Sequence, residues 1–565
     1  MNKKILVAAA WPYANGSLHL GHVSSLIGSD ILARYFRLAG DKVLFVSGSD
    51  CHGTPIALEA DRLGIKPAEI ADGYHREFVE TLINGLGFSY DLYTKTTTEN
   101  HREVVQEVFL SLYRKGYIYI KTEILPYCAN CQRFLPDRYI EGECPICHFS
   151  SARGDQCDNC GNLIDTQQLI NPKCRICGSS PIWRESEHFF LKLSAFQEQI
   201  RDWITNSEGW RTNAKNFSLN LLKQGVPDRA ITRDIEWGIA IPLPGYESKR
   251  IYVWFEAVCG YLSASKEWSQ IIGQPEAWRE WWESSDSIHY YVHGKDNIPF
   301  HTIIWPSILS GRGGLHLPDR IISSEYLNLE GRQFSKSRSW AVWLPDFLAK
   351  FDPETLRYFL VTNGPETADT SFFWKEYQTR INQELIGNFG NFVYRTLSFI
   401  KARFPRGVSF PTQPDEESYK FLALAQETFS SVGESIEAGR FREGLRSILR
   451  LVETGNRYLS NAAPWVSIKT NPAKTENDLA VTAHVIKCLV ILVSPFLPKT
   501  AERILKDIGS DPAEINWSYP VQGVTVVSET VPLYKKIETS EIEEQLQKLG
   551  SESPKQIIRL RLARL

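Results

Sequence analysis

Internal methionine is missing from this chain: its single Met is Met1. A chain of 565 residues would ordinarily carry several, and composition bias of the source is the plain explanation. No apolar run reaches the length of a membrane span, which excludes a helical integral-membrane class. The start, Lys3, Lys4 and then Ile5 to Trp11, superficially mimics a secretory leader. Its apolar run is short and a polar turn follows at once, so a buried first strand is the better reading and a cytoplasmic location is the expectation. Charge of one sign is also missing. Lys+Arg 63 against Asp+Glu 66 gives −3, so any nucleic-acid partner must be met by a local basic face. Cysteine is sparse, 11 in all, yet eight of them form four C-x-x-C pairs. In a cytosolic chain that spacing means metal rather than disulfide.

The length calls for three or four domains. Residues 1–115 alternate strand-like and helix-like segments. "KKILVAAAW" and "KVLFVSGSD" read as buried strands and "VSSLIGSDILARYFRLAG" as a helix stopped by Gly40. This alternation predicts a doubly wound parallel sheet with its ligand at the carboxyl ends of the strands. Residues 116–235 hold all four cysteine pairs and read as an insertion. Sheet signals resume at "RIYVWFEAVCGY" and "SIHYYVHGKDNIPFH", closing the first domain over 236–322. Residues 323–385 carry a strand and a loop with "QFSKS". A helical domain is expected over 386–535 and a charged, basic-ended tail over 536–565.

Three sets of residues carry chemistry. His19 and His22 lie at i and i+3 where the first strand turns into a helix, a place whose N–H groups and dipole favour an anion. Gly21 between them lets a nucleotide approach the backbone. By itself such a pattern is more often an ordinary helix start. Lys336 stands between Ser335 and Ser337 in a loop. Cys128, Cys131, Cys144, Cys147, Cys157, Cys160, Cys174 and Cys177 supply two tetrahedral Cys₄ zinc sites without an open position, and are therefore structural. Two pairings are open: nested, with Cys144, Cys147, Cys157 and Cys160 on one ion and the outer four on the other, or interleaved. Cys51, Cys259 and Cys488 are expected to be buried.

A strand–HxGH–helix near the start followed by a late F-S-K-S resembles the two signatures of class I aminoacyl-tRNA synthetases. Within that class the chain is similar to the methionyl-tRNA synthetases almost end to end, through "AWPYANGSLHLGH", "GSDCHGTPI", "FLPDRYIEGECPIC", "YVWFEA", "GKDNIPFHTIIWP", "FDPETLRYFL", "NAAPW" and "SPFLPKTAE". The resemblance implies a Rossmann-type domain with inserted zinc knuckles and a C-terminal helical bundle, and it favours the nested zinc pairing. It implies ATP-dependent formation of methionyl-adenylate, with Mg²⁺ on the ATP, then transfer to the terminal adenosine of initiator and elongator methionine tRNAs. His19, His22 and Lys336 would serve the phosphates. Gly21, Gly294, Lys295, Asp296, Ser335 and Ser337 would bind ATP. Ala10, Trp11, Tyr13, Asp50, Trp254, Tyr261, Phe300 and His301 would hold methionine. Asn391, Arg395 and Trp465 would read the anticodon, and the family's C-terminal β-barrel is not seen, so a monomer is expected.

Trp11 departs from the leucine common in the family, Val258 from proline, Gln333 from the lysine that opens the loop motif and Ser339 from glycine. Trp11 is the best support for a second reading, a paralogue that activates another amino acid or does not charge tRNA; a third, a zinc-dependent RNA-binding protein, has the retained His19, His22, Asp296 and Lys336 against it. An enzyme that charges methionine also offers a selective reason for containing little of it.

Overall fold

The computed structural model describes residues 2–154, 157, 159–160, 164, 166–335 and 339–550. Five strands form the central sheet: β1 (Lys4–Ala9), β2 (Lys42–Ser49), β3 (Leu92–Lys95), β4 (Ser287–Gly294) and β5 (Arg320–Ser324). Their order is β5-β4-β1-β2-β3 and every pairing is parallel. β1 shows why the sheet is buried on both faces. Ile5, Val7 and Ala9 enter one core, and Leu6 and Ala8 enter the other, all at 0% exposure. Near-continuous apolar strands are what a doubly covered parallel sheet requires.

The order of the strands reverses between β1 and β4, whose partners are fixed from Lys4↔Ser287 to Ala9↔Val292. Their carboxyl ends diverge there, and the crevice of a doubly wound sheet opens at that switch. Helix α1 (Leu20–Leu38) leaves the end of β1 and ends at Ala39, with Gly40 in left-handed backbone (φ 85°), as its pattern predicts.

One stretch folds against expectation. "RIYVWFEAVCGY" is extended only over Arg250–Ile251. A helical turn over Val253–Glu256, a 3₁₀ turn over Ala257–Cys259 and α2 (Gly260–Ile271) follow. The aromatic and β-branched residues suggested a strand, but burial decides. Phe255, Cys259 and Leu262 recur at helical spacing and pack into the core, while Trp254, Ala257, Val258 and Tyr261 lie on the cavity side.

The cysteine region is held between two long antiparallel strands, Ile118–Cys128 and Ile182–Leu191, in register from Ile118↔Leu191 to Tyr127↔Ile182. Beyond α3 (Pro353–Thr362) the chain is largely helical: α4 (Asn391–Arg403), α5 (Glu416–Glu437), α6 (Phe441–Ala462) and α7 (Pro472–Val493). A two-stranded pairing of Val408–Ser409 with Val524–Thr525 interrupts the all-α expectation.

Arg357 of α3 pins the parts together. Its guanidinium lies 2.7 Å from Asp30 of α1 and donates to the Phe496 carbonyl, and both charged groups are fully buried. Burial would raise the Asp30 carboxyl; Arg34 and Arg357 outweigh it and hold it below its ordinary value. Removing one partner of such a pair strands a charge in the core. None of the helices among the described residues is long and apolar enough to cross a membrane.

Candidate active site

A cavity of about 360 Å³ opens at the carboxyl ends of β1 and β4. The strand–helix turn shapes one wall. His19 is the N-cap of α1 in extended backbone, its amide donates to His22 Nδ1 at 3.0 Å, and the two rings sit 3.8 Å apart. His22 faces the cavity. Gly21 is needed: a Cβ there would meet the His19 ring at 3.0 Å and the Phe334 ring at 3.4 Å. Phe334 stacks on His19 at 4.5 Å with planes 4° apart. The base of the FSKS loop is thereby held against the start of α1. Ser335 pairs with Trp340 through both backbone groups, while Lys336 and Ser337 lie outside the described residues.

Asp50 follows β2 and forms a parallel bridge with Tyr13. It is 7% exposed and its Oδ1 has no hydrogen-bond partner among the described residues. Burial and then the nearby Glu256 push its carboxyl well above the ordinary range. Such a group is a waiting partner for a cation, because an ammonium would restore the charge that burial suppresses. Tyr13 donates its hydroxyl to the His52 carbonyl, and His52 Nδ1 meets both oxygens of buried Glu256 at 2.9 and 3.0 Å.

The far wall is aromatic. His301 donates from Nδ1 to the Asn297 carbonyl at 2.8 Å, so its Nε2 accepts from the Tyr261 hydroxyl at 2.7 Å. Burial lowers the His301 pKa to about 4, in keeping with this neutral tautomer. Trp254 packs against Phe300 at 4.6 Å and is 40% exposed at the rim rather than buried in the core. Ala10 also lines the cavity. Trp11 is accommodated by two glycines. A Cβ on Gly48 would lie 2.5 Å from its ring and one on Gly260 2.8 Å, so the indole occupies space these residues vacate.

Other expected residues stand apart. Lys295 is committed to Glu325 at 2.7 Å and Asp369 at 2.8 Å. Asp296 is exposed and accepts from the Tyr326 hydroxyl, and a Cβ on Gly294 would meet only the Ser25 side chain. Arg138, Tyr252 and Asn297 line the cavity although no pattern singled them out. Arg138 comes from the inserted region, within the quoted "FLPDRYIEGEC", and no local signal reveals that this turn folds back on Tyr13.

The eight cysteines form two clusters, Cys128, Cys131, Cys174 and Cys177, and Cys144, Cys147, Cys157 and Cys160, each with its sulfurs within 4.8 Å of one another. This is the nested pairing. Backbone amides of Cys131 and Cys147 point at the sulfurs of Cys128 and Cys144, an arrangement that suits thiolates around Zn²⁺. Cys51, Cys259 and Cys488 are fully buried. On the helical region the Arg395 guanidinium lies 5.1 Å over the exposed Trp465 ring, with Asn391 one turn before Arg395.

The family model for class I tRNA synthetases (M) matches residues 5–397, and that for the anticodon binding domain of methionyl tRNA ligase matches residues 410–552. The chain belongs to the methionine branch of the class I tRNA synthetases. Among relatives of this synthetase, the methionine–tRNA ligase of Dehalococcoides mccartyi strain CBDB1 is 47% identical over 97% of this chain and 100% of its own. That of Bacillus cereus strain AH187 is 45% identical over 96% and 99%. In structure, the synthetase resembles the Mycobacterium tuberculosis methionyl-tRNA synthetase in complex with methionyl-adenylate. The TM-score is 0.78 at 26% identity, covering 94% of this chain and 99% of that one.

Proposed function

We infer that this protein is a methionine–tRNA ligase, and that the cavity is where methionine and ATP meet. The observation that carries the reading is the buried, partnerless Oδ1 of Asp50 in a cavity walled by Trp254, Phe300 and the Tyr261–His301 pair. Asp50 pairs with the substrate ammonium. The aromatic walls and neutral imidazole suit a polarisable thioether and offer no charge to a competing side chain. The substrate carboxylate is then held for in-line attack on the α-phosphorus of ATP, expelling pyrophosphate. Catalysis of that step is positioning and charge stabilisation.

His22 and His19 offer ring N–H groups at a helix start already biased toward anions, and Lys336 would close over the phosphates from the loop that Phe334 anchors. Gly21, Gly294, Lys295, Asp296, Ser335 and Ser337 are assigned to ATP, with Lys295 exchanging one of its carboxylate partners on binding. Mg²⁺ would arrive on the ATP and neutralise phosphate charge. The two cysteine clusters would hold structural zinc and order the insertion that delivers Arg138. The 2′-hydroxyl of the terminal adenosine of tRNA then takes the methionyl group. Asn391, Arg395 and Trp465 are assigned to the anticodon of initiator and elongator methionine tRNAs, with Trp465 as a stacking platform. A monomer, the domain limits given above and a cytoplasmic location complete the reading.

Amino-acid-dependent ATP–pyrophosphate exchange across the twenty amino acids, followed by charging of methionine tRNAs, tests it. Exchange with methionine together with charging is expected. Exchange with a different amino acid would overturn the assignment in favour of a paralogue, and no exchange at all would leave an RNA-binding protein.

A further inference from the structure

A second cavity, of about 320 Å³, lies between α3, α6 and the helical segment that leads into α4. Arg442, Arg446 and Arg450 line it from α6 at i, i+4 and i+8, and Arg380 faces them from the segment Trp374–Arg380. Only Glu384 and Glu453 oppose these four guanidinium groups among the lining residues. Glu384 is already engaged by the Tyr358 hydroxyl at 2.8 Å, and Arg380 by Glu376 at 2.8 Å. The guanidinium groups of Arg446 and Arg450 have no hydrogen-bonding or ionic partner among the described residues. Arg442 is fixed to the Gly364 carbonyl, yet its Nε is shut from water and has no hydrogen-bond partner among the described residues. Like charges one turn apart destabilise a helix, and an unmade bond at a guarded guanidinium N–H carries a further cost. A concave set of this kind, in a chain of net charge −3, is built for an anion with several oxygens.

Its position says which anion. Arg380 closes the helical segment Trp374–Arg380, Glu384 and Asn388 lie on the π-helical turns Ile381–Gly390, and these run directly into α4, which carries Asn391 and Arg395. With a rise of at most about 1.5 Å per residue along these turns, the cavity lies within roughly 20 Å of the Arg395–Trp465 pair. A nucleic-acid strand covers that distance in a few nucleotides.

We propose that this arginine cavity binds backbone phosphates of the tRNA next to the anticodon. The inference rests on the tRNA-charging reading. Phosphate contacts here position the strand and carry no sequence information. Arg446 and Arg450 make the contacts. Arg442, held by the Gly364 carbonyl beside the end of α3, joins the contact to the linking region.

The test uses the full chain and a fluorescent RNA stem–loop carrying the methionine anticodon, titrated at several salt concentrations. The variant R446A/R450A should bind about tenfold more weakly, and the slope of log affinity against log salt should shrink by about 1 for each phosphate left unneutralised. R446K/R450K should keep most of the slope. Methionine-dependent pyrophosphate exchange should be the same in all three proteins, so a defect in RNA binding is read apart from amino-acid activation. Equal affinity and equal slope in wild type and R446A/R450A would overturn the proposal. Calorimetric binding of tripolyphosphate that is abolished in R446A/R450A while RNA binding is unchanged would overturn it too, by making a free polyphosphate the ligand. Failure of the unmutated protein to exchange with methionine strikes the functional reading instead, and the RNA titration reads independently of it.

Discussion

The ring of Phe334 lies flat on that of His19, 4.5 Å away and 4° from parallel. This stack ties the Phe334–Ser335 segment, which directly precedes Lys336 in sequence, to the start of α1, two segments more than 300 residues apart in the chain. Replacing Phe334 with Ala should leave the methionine KM nearly unchanged and lower the kcat of pyrophosphate exchange about tenfold or more, because loss of positioning acts on the reacting geometry rather than on the amino-acid pocket. Exchange kinetics with methionine varied at saturating ATP check both parameters, and an unchanged kcat would remove the role assigned to the stack.

Asp50 should trade stability for binding. Its carboxyl is raised in the folded chain by burial and by Glu256, so the folded state holds a proton that the unfolded state gives up at lower pH. Stability therefore falls as pH rises from the unfolded value, about 3.9, through the higher folded value. Asp50→Asn should raise the melting temperature at neutral pH while raising the methionine KM about 100-fold or more, the loss expected of one partner in a buried charge pair. In the wild type, methionine affinity should increase with pH as Asp50 ionises, and in the variant it should not. Calorimetry in two buffers of different ionisation enthalpy reads the proton released.

Burial has the opposite consequence for histidine. His101 and His289 are lowered to about 3 and His301 to about 4, in each case by burial first. The unfolded chain takes up protons near pH 6.5 that the folded chain refuses, so these groups cost stability as pH falls from about 6.5 toward about 4. The urea midpoint should drop between pH 7 and about pH 5, and His101→Asn, which keeps a donor near the Ser263 hydroxyl, should show a smaller drop. An equal drop in both proteins would show that His101 is not among the groups responsible.

The two cysteine clusters should lose metal independently. Cys131→Ser should bind one zinc per chain instead of two, and so should Cys147→Ser, while Cys131→Ser combined with Cys174→Ser should still bind one, because both belong to the same cluster. Elemental analysis of the purified variants decides it. An interleaved arrangement would leave the double variant with no zinc. Loss of the outer site should also reduce exchange, since Arg138 reaches the active cavity from the segment between the clusters.

Much of this protein is written locally. The apolar runs at Ile5–Ala9 and Val43–Val46 leave a buried parallel strand as the reading that satisfies their backbone and side chains together. The helical period after His22 with Gly40 at its end places α1, although its first turn begins earlier, at Leu20, and four C-x-x-C pairs announce two metal sites from the sequence alone. Motif spacing likewise singled out His19 and His22, and the resemblance to the methionyl-tRNA synthetases named Asp50, Tyr261 and His301. What the chain could not state alone was which face wins when local preference and burial disagree. "YVWFEAVCGY" has the composition of a strand, yet it coils because only a helical period sends Phe255, Cys259 and Leu262 inward while turning Trp254 and Tyr261 to the cavity. Pairing of the cysteines, the fit of Trp11 against Gly48 and Gly260, the return of Arg138 to the cavity and the gathering of Arg380 with Arg442, Arg446 and Arg450 were settled only by tertiary packing. Each joins segments distant in sequence. Such meetings depend on volumes and charges that come together only once the chain has closed on itself, and no local pattern encodes where that occurs.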